Sequence, residues 1–342
     1  MKSYLELSVE DRRILCQESQ ARLGFPATTI EKDFWVCWTL GELFNLPEWG
    51  SQFTFKGGTS LSKAWKIIQR FSEDIDIVID RSFIGFGGEK SPDKGESQKQ
   101  IRNRLDELKA ACSQRIQEDL LPILQKRFES QLSQEIPWSL KMASPEEDPD
   151  QQTLLFQYPT VFSAPSSYLR PIVKMEFGAR SDHEPSLKAN VQSYLSETFP
   201  ENLKNDSVSI MSLTHERTFL EKSMLIHEET FRPLDKIRKK GMARHYYDLW
   251  VMITKGIGDR AIQDPALFDQ IADHRKIYFK WSWVDYSTLK PSTIRLHPPE
   301  YHLSLWKQDY QAMRQEMFVG EIPKFDELME VVKEFNEKWN SI

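Results

Sequence analysis

Between Asp74 and Asp80 the chain reads DIDIVID, and a period of two is what a strand produces and a helix does not. In that strand Asp74, Asp76 and Asp80 project to one side and Ile75, Ile77 and Ile79 to the other. The aliphatic side needs a core; the acidic side needs a reason. Two carboxylates on neighbouring same-side positions repel, and one takes up a proton unless a cation neutralises the pair. Magnesium, a hard ion that prefers carboxylate and phosphate oxygen, is the natural counter-ion. A solvated edge strand satisfies the same pattern, so both readings stand at this point.

The flanking sequence adds to the first reading. SQFTF reads as a short strand ending at Gly57-Gly58, Thr59 to Gln69 as a helix, and Asp74 to Asp80 as the next strand. At Gly57-Gly58-Thr59-Ser60, side-chain-free backbone and hydroxyls can approach phosphate, although such a turn also serves as a plain tight connection. In RPIVKMEFGAR, Val173, Met175 and Phe177 form an apolar face and leave Lys174 and Glu176 on the other. Glu176 becomes a third carboxylate beside the aspartates if its strand pairs next to theirs.

With 342 residues, 39% of them apolar, the chain can bury a large core. A formal charge of −6 excludes a generally basic nucleic-acid-coating protein, so phosphate affinity has to be local. Three unevenly spaced cysteines, Cys16, Cys37 and Cys112, give neither a disulfide framework nor a zinc knuckle. No apolar run suits a signal peptide or a membrane span, so a soluble cytoplasmic protein with no membrane partner is expected.

Further along, Ser82 to Gln98 lacks any period and reads as an exposed, mobile loop, and Ile101 to Gln134 reads as helical. Strands are expected at Trp138 to Met142, Thr153 to Tyr158, Arg170 to Phe177 and Val208 to Leu213, with helix almost throughout from His215.

Six segments then carry a family resemblance: IEKDFWV (30–36), FKGGTSLSKAW (55–65), RFSEDIDI (70–77), RPIVKMEFGARS (170–181), RTFLEKSMLIHEE (217–229) and RHYYDL (244–249). In this order the sequence resembles the AbiEii-type, MenT-like nucleotidyltransferase toxins of the polymerase-beta nucleotidyltransferase superfamily. The resemblance implies an α/β (α+β) fold: a nucleotidyltransferase mixed sheet over residues 1–213 with a helical insertion at about 100–135, then a helical C-terminal domain over 214–342. The active site is expected in the cleft between them.

The implied chemistry is transfer of a nucleoside monophosphate from an NTP to an acceptor hydroxyl with release of pyrophosphate. Asp74, Asp76 and Glu176 would hold magnesium, or manganese in its place. Gly57, Gly58, Thr59, Ser60 and Ser72 would contact the nucleotide; Lys63, one turn beyond Thr59, faces either the phosphates or water. Lys222 would meet the triphosphate, and Asp248 would fix Lys222 or the nucleotide, its other reading being an acid paired to a basic neighbour. The family implies an RNA acceptor, with tRNA 3′ ends leading, a role in a toxin–antitoxin or phage-defence system, and an antitoxin partner.

The basic stretch RPLDKIRKKGMARH could hold an RNA backbone or be a solvated loop face. The alternatives are a protein or small-molecule acceptor, and a silent nucleotide-binding or antitoxin-interaction protein. Asp80, outside the matched segments, is not placed in the site, and no spacing of His227 or His245 supports zinc.

Overall fold

The computed structural model describes residues 1–133, 137–162, 170–203, 206–314, 318 and 322–342. The chain divides into two compact units. One comprises Met1–Trp65 with Phe71–Leu213, the other Lys66–Arg70 with Thr214–Ile342.

The first unit is built on seven strands: β1 (Phe53–Lys56), β2 (Ile75–Ile79), β3 (Ser139–Met142), β4 (Thr153–Gln157), β5 (Ile172–Gly178), β6 (Ser186–Val191) and β7 (Val208–Leu213). They form one mixed sheet in the order β3-β4-β5-β2-β1-β7-β6. β2 pairs antiparallel with β1 and parallel with β5, which puts the acidic strand well inside the sheet rather than at an edge. The α/β expectation is therefore met, and the edge-strand reading of DIDIVID is not. Along β5 burial alternates, with Val173, Met175 and Phe177 inside, as the period of two requires.

The helix Ala27–Phe44 is buried almost all round and seats Trp35 and Trp38 against Phe156 of β4. Its three consecutive charges, Glu31, Lys32 and Asp33, are also buried, and each has a partner. Glu31 accepts from Thr160 Oγ1 and Val161 N; Lys32 donates to Arg170 O and pairs with Glu73; Asp33 pairs with Lys63 and accepts from Tyr194 N. Buried charge is tolerated only when paired and hydrogen-bonded, so this stretch fastens distant parts of the unit together. Burial pushes the Glu31 carboxyl up to about 7, against the pull of its two donors.

The helical insertion runs as Gln98–Arg115, a wide turn at Ile116–Leu120, and Leu121–Glu129. Leu108, Cys112, Ile116, Leu120, Leu124 and Phe128 are all fully buried. Strict four-residue spacing overruns a 3.6-residue turn by about 40° per step, and the wider i→i+5 turn restores the stripe. The expected end of this segment, Gln134, lies outside the described residues.

Several expectations are corrected. Thr59 to Gln69 is not one helix: a helical turn at Gly57–Thr59 and a wide turn at Ser60–Ala64 stop at Trp65, Lys66 takes φ +52°, and Lys66–Arg70 leaves for the second unit. β6 and the helix Tyr194–Thr198, capped by Ser193, were not legible in a segment without clear period. The 82–98 segment carries two single turns, Gly88–Lys90 and Pro92–Lys94, with Ser91 and Pro92 buried and Ser91 O accepting from Arg104.

The second unit packs the helices His215–Thr230, Arg244–Thr254, Ile257–Ala261, Pro265–Tyr278, Glu300–Arg314 and Phe325–Asn340. Thr214 caps the first by accepting from Arg217 N, which fixes where it starts. Phe219, Phe335, Trp339 and Phe268 form one aromatic cluster, Tyr246, Trp306, Tyr310 and Phe325 another. Helix does not run throughout: 231–243 and most of 279–299 are irregular. No helix among the described residues is long and apolar enough to cross a membrane.

Candidate active site

In the first unit Asp76 lies directly across from Glu176, because β2 and β5 run parallel with Ile75 opposite Met175 and Asp76 opposite Glu176. Residues so paired point to the same face, so the condition for Glu176 to join the aspartates is met. The same register, carried one step back, sets Lys174 beside Asp74. Lys174 ion-pairs with Glu176. Burial alone would lower the Lys174 ammonium, yet the bond to Glu176 and the charges of Asp74 and Asp76 together hold it above its ordinary value. All three carboxylates thus act on one cation.

The glycine turn abuts this group. Gly57 has φ +80°, and a Cβ built on it would stand 2.0 Å from Asp76 Oδ2. Only glycine suits both the backbone and the space. Gly57→Ala should therefore displace the Asp76 carboxylate and cost about 1–2 kcal/mol in stability. Thermal unfolding should show the loss, and nucleotide transfer should fall with it; a variant with wild-type transfer would detach the turn from the site.

The hydroxyls are used inside the turn. Thr59 donates to Asp74 O and accepts from Ser72 Oγ at 2.8 Å, while Ser60 donates to Gly57 O at 2.9 Å, and both residues are buried. Thr59 ties the turn to the start of the acidic strand and Ser60 braces the turn internally, and the half-exposed part is the Gly57-Gly58 backbone. Lys63 is also buried, 2.6 Å from Asp33 Oδ1 and 3.9 Å from the Tyr194 ring centroid. Desolvation lowers its pKa, but Asp33 more than offsets this and raises it. Its ammonium closes an internal ion pair, buried from solvent. Asp80 Oδ1 accepts from Ser82 N and shapes the turn after β2.

Magnesium is commonly held by one or two carboxylates and completes its shell with water and phosphate oxygen. Asp76 and Glu176, with Asp74 one same-side position away, have that donor chemistry. Among the described residues no three His, Cys, Asp or Glu side chains close into a ready cage, an arrangement that calcium or zinc would call for more than magnesium does.

In the second unit Lys222 and Asp248 come together, on the helices His215–Thr230 and Arg244–Thr254. Lys222 Nζ is 2.9 Å from Asp248 Oδ2 and 3.3 Å from His245 Nδ1. Arg70 grips both oxygens of Asp248, Nε to Oδ1 at 2.7 Å and Nη2 to Oδ2 at 2.8 Å. Burial would raise the Asp248 carboxyl, but Arg70 and Lys222 overcome it and hold Asp248 far below the usual carboxylate range. Burial lowers Lys222, Asp248 opposes the fall and Arg70 adds to it. Burial, with Lys222 and Arg244, keeps His245 neutral.

Nothing in the sequence pattern alone marks Arg70 and His245 as site residues. Arg70 opens the segment RFSEDIDI, so the signal was present, but a partner 178 positions away is invisible in sequence. Thr218, on the Lys222 side of its helix, donates to Thr214 O. Arg217 binds Glu221, and His215 lies against Glu216 and Arg260.

The basic stretch is braced at both ends. Arg232 and Arg238 share Glu229, while Gly241 N and Ala243 N donate to the Asp309 carboxylate at 2.7 and 2.8 Å. Between these anchors Leu234, Lys236, Ile237, Lys239 and Lys240 are exposed, Ile237 at 95%.

Comparison with known proteins decides the family. The family model described as "Nucleotidyl transferase AbiEii toxin, Type IV TA system" matches residues 38–331. The chain belongs to the AbiEii nucleotidyltransferase toxin family. None of the curated proteins matches. Among solved structures the chain is similar to MenT4, a nucleotidyltransferase toxin from Mycobacterium tuberculosis H37Rv, at 13% identity and a TM-score of 0.44, covering 96% of this chain and 92% of that one. The AbiEii match spans the glycine turn, both acidic strands, Arg70, Lys222 and Asp248.

Proposed function

We propose that this AbiEii chain is a magnesium-dependent nucleotidyltransferase that moves a nucleoside monophosphate from an NTP to a hydroxyl of RNA, tRNA 3′ ends being the leading acceptor. The observation that carries the reading is Asp76 facing Glu176 across β2 and β5, with the Gly57-Gly58 turn against the Asp76 carboxylate. An acceptor oxygen bonds to the α-phosphorus, the bond from that phosphorus to the bridging oxygen breaks, pyrophosphate leaves, and the hydroxyl proton passes to water. Bound at Asp74, Asp76 and Glu176, magnesium would neutralise the triphosphate and make the acceptor hydroxyl easier to ionise.

The chain's own residues divide the remaining work. The Gly57-Gly58 backbone lets phosphate approach closely, Thr59 with Ser72 keeps that turn on the acidic strand, and Ser60 braces it from within. Lys222 is the triphosphate contact and Asp248 holds Lys222. Lys63, committed to Asp33, has no part. The action is that of a cytoplasmic toxin in a toxin–antitoxin or phage-defence system, countered by an antitoxin.

The braced loop supports the RNA reading, since three lysines stand exposed on an otherwise acidic chain. Each phosphate contact to a single strand contributes about −0.7 to the slope of log K against log salt. Lys236→Glu, Lys239→Glu and Lys240→Glu combined should raise the KM for RNA about tenfold or more and flatten that slope by about 2, with the KM for NTP unchanged. The acceptor is tested by incubating the protein with magnesium, each labelled NTP in turn, and total RNA or total protein. Label on protein alone would overturn the RNA assignment.

A further inference from the structure

The group around Asp248 holds two buried cations against one carboxylate. A lysine–aspartate pair would suffice for a structural ion pair, yet here Arg70 takes both oxygens in a parallel fork and Lys222 approaches Oδ2, already engaged, at 2.9 Å. A carboxylate carries a single charge, and a bidentate guanidinium claims most of it. The fork also fixes the plane of the carboxylate, and so the line along which Lys222 meets it.

His245 adds the second constraint. Its imidazole is neutral, so Nδ1, 3.3 Å from Lys222 Nζ, accepts a hydrogen bond and the ring proton lies on Nε2. An ammonium has three protons. One goes to Asp248, one to His245, and the third has no acceptor among the described residues. Two fixed bonds on a tetrahedral nitrogen set the direction of the third.

We propose that Arg70 is a positioning residue for Lys222: by saturating Asp248 it leaves Lys222 with uncompensated charge and one directed N–H for an anionic oxygen of the triphosphate, while His245 sets that direction. This rests on the reading of Lys222 as the triphosphate contact. Without Arg70, Asp248 would turn wholly to Lys222 and neutralise it, weakening ground state and transition state alike; the cost then falls on KM rather than kcat.

The test measures kcat and KM for NTP in wild type, Arg70→Gln, Arg70→Lys, His245→Asn and His245→Leu. Both Arg70 variants should raise the KM about tenfold or more with kcat within about threefold, since lysine cannot reproduce the fork. Asparagine places an acceptor where Nδ1 stands, so His245→Asn should stay near wild type while His245→Leu resembles the Arg70 variants. If Arg70→Gln does not fold, Arg70→Lys and the His245 pair decide. A wild-type KM in Arg70→Lys and His245→Leu, with thermal stability alone reduced, would mean a purely structural ion pair and overturn the inference. A wild type that binds and consumes no NTP would instead overturn the proposed function beneath it.

Discussion

Asp76→Asn should reduce nucleotide transfer by about a thousandfold or more, about 4 kcal/mol of transition-state stabilisation, and leave thermal stability equal or slightly higher. The substitution keeps the size of the side chain against Gly57 and removes one negative charge from a group that already holds Asp74 and Glu176. Like charges on one face cost stability, so losing one relieves it. An amide is a poorer ligand for a hard cation than a carboxylate, so activity goes the other way. That opposition separates a site from an ordinary acidic surface: a strand carboxylate with a solubility role would change neither quantity by more than about 0.5 kcal/mol. Unfolding curves and initial rates on the same preparations check both halves.

Asp248→Asn should be the most destabilising single change at the site, by about 3–5 kcal/mol, and should abolish transfer as well. Arg70 and Lys222 are buried beside Asp248, and removing the shared counter-charge strands both. The pH dependence follows from the same group. The folded carboxyl of Asp248 is depressed, so its contribution is complete above the unfolded value of about 4 and disappears as pH falls through the lower folded one. The imidazoles give out earlier. His245 is held well below its ordinary value and His227 at about 4 by burial, with Arg295 and Arg275 adding to it. Below about pH 6.5 the unfolded chain takes up protons that the folded histidines refuse, so stability declines from there rather than from pH 4. Chemical denaturation across pH 3 to 8 should show that early acid limb in the wild type, and a shallower one with the same onset in His245→Asn, where His227 alone of this pair remains.

What the sequence makes legible is whatever is local or periodic. Alternation alone predicts β2 and β5 and the faces of Asp76, Lys174 and Glu176, because a strand's side chains are assigned by counting. The pairing of β2 with β5 crosses about a hundred residues, and only the resemblance argued for it; the register confirms the neighbourhood. Counting fails where tertiary partners override propensity. Thr59 to Gln69 has helix-forming residues, but the chain there passes from one unit to the other, and the helix stops at Trp65. Lys63 reads by spacing as facing phosphate or water and is the buried counter-ion of Asp33, itself hidden in an apolar-looking helix. The hydroxyls of Thr59 and Ser60 could be placed at the turn but not aimed, since their acceptors, Asp74 O and Gly57 O, are backbone groups set by the fold. Arg70 was in plain view and unassigned for the same reason.

The central claim is that the α-phosphoryl group, with its nucleoside, is what moves. Wild-type protein incubated with magnesium and total RNA should attach label from α-labelled NTP to RNA and release label from γ-labelled NTP as pyrophosphate, with neither event in Asp76→Asn. Label from γ-labelled NTP on the acceptor would make the protein a phosphoryl-transferring enzyme, and α-label transfer undiminished in Asp76→Asn would remove the acidic strand from the reaction; either result contradicts the account.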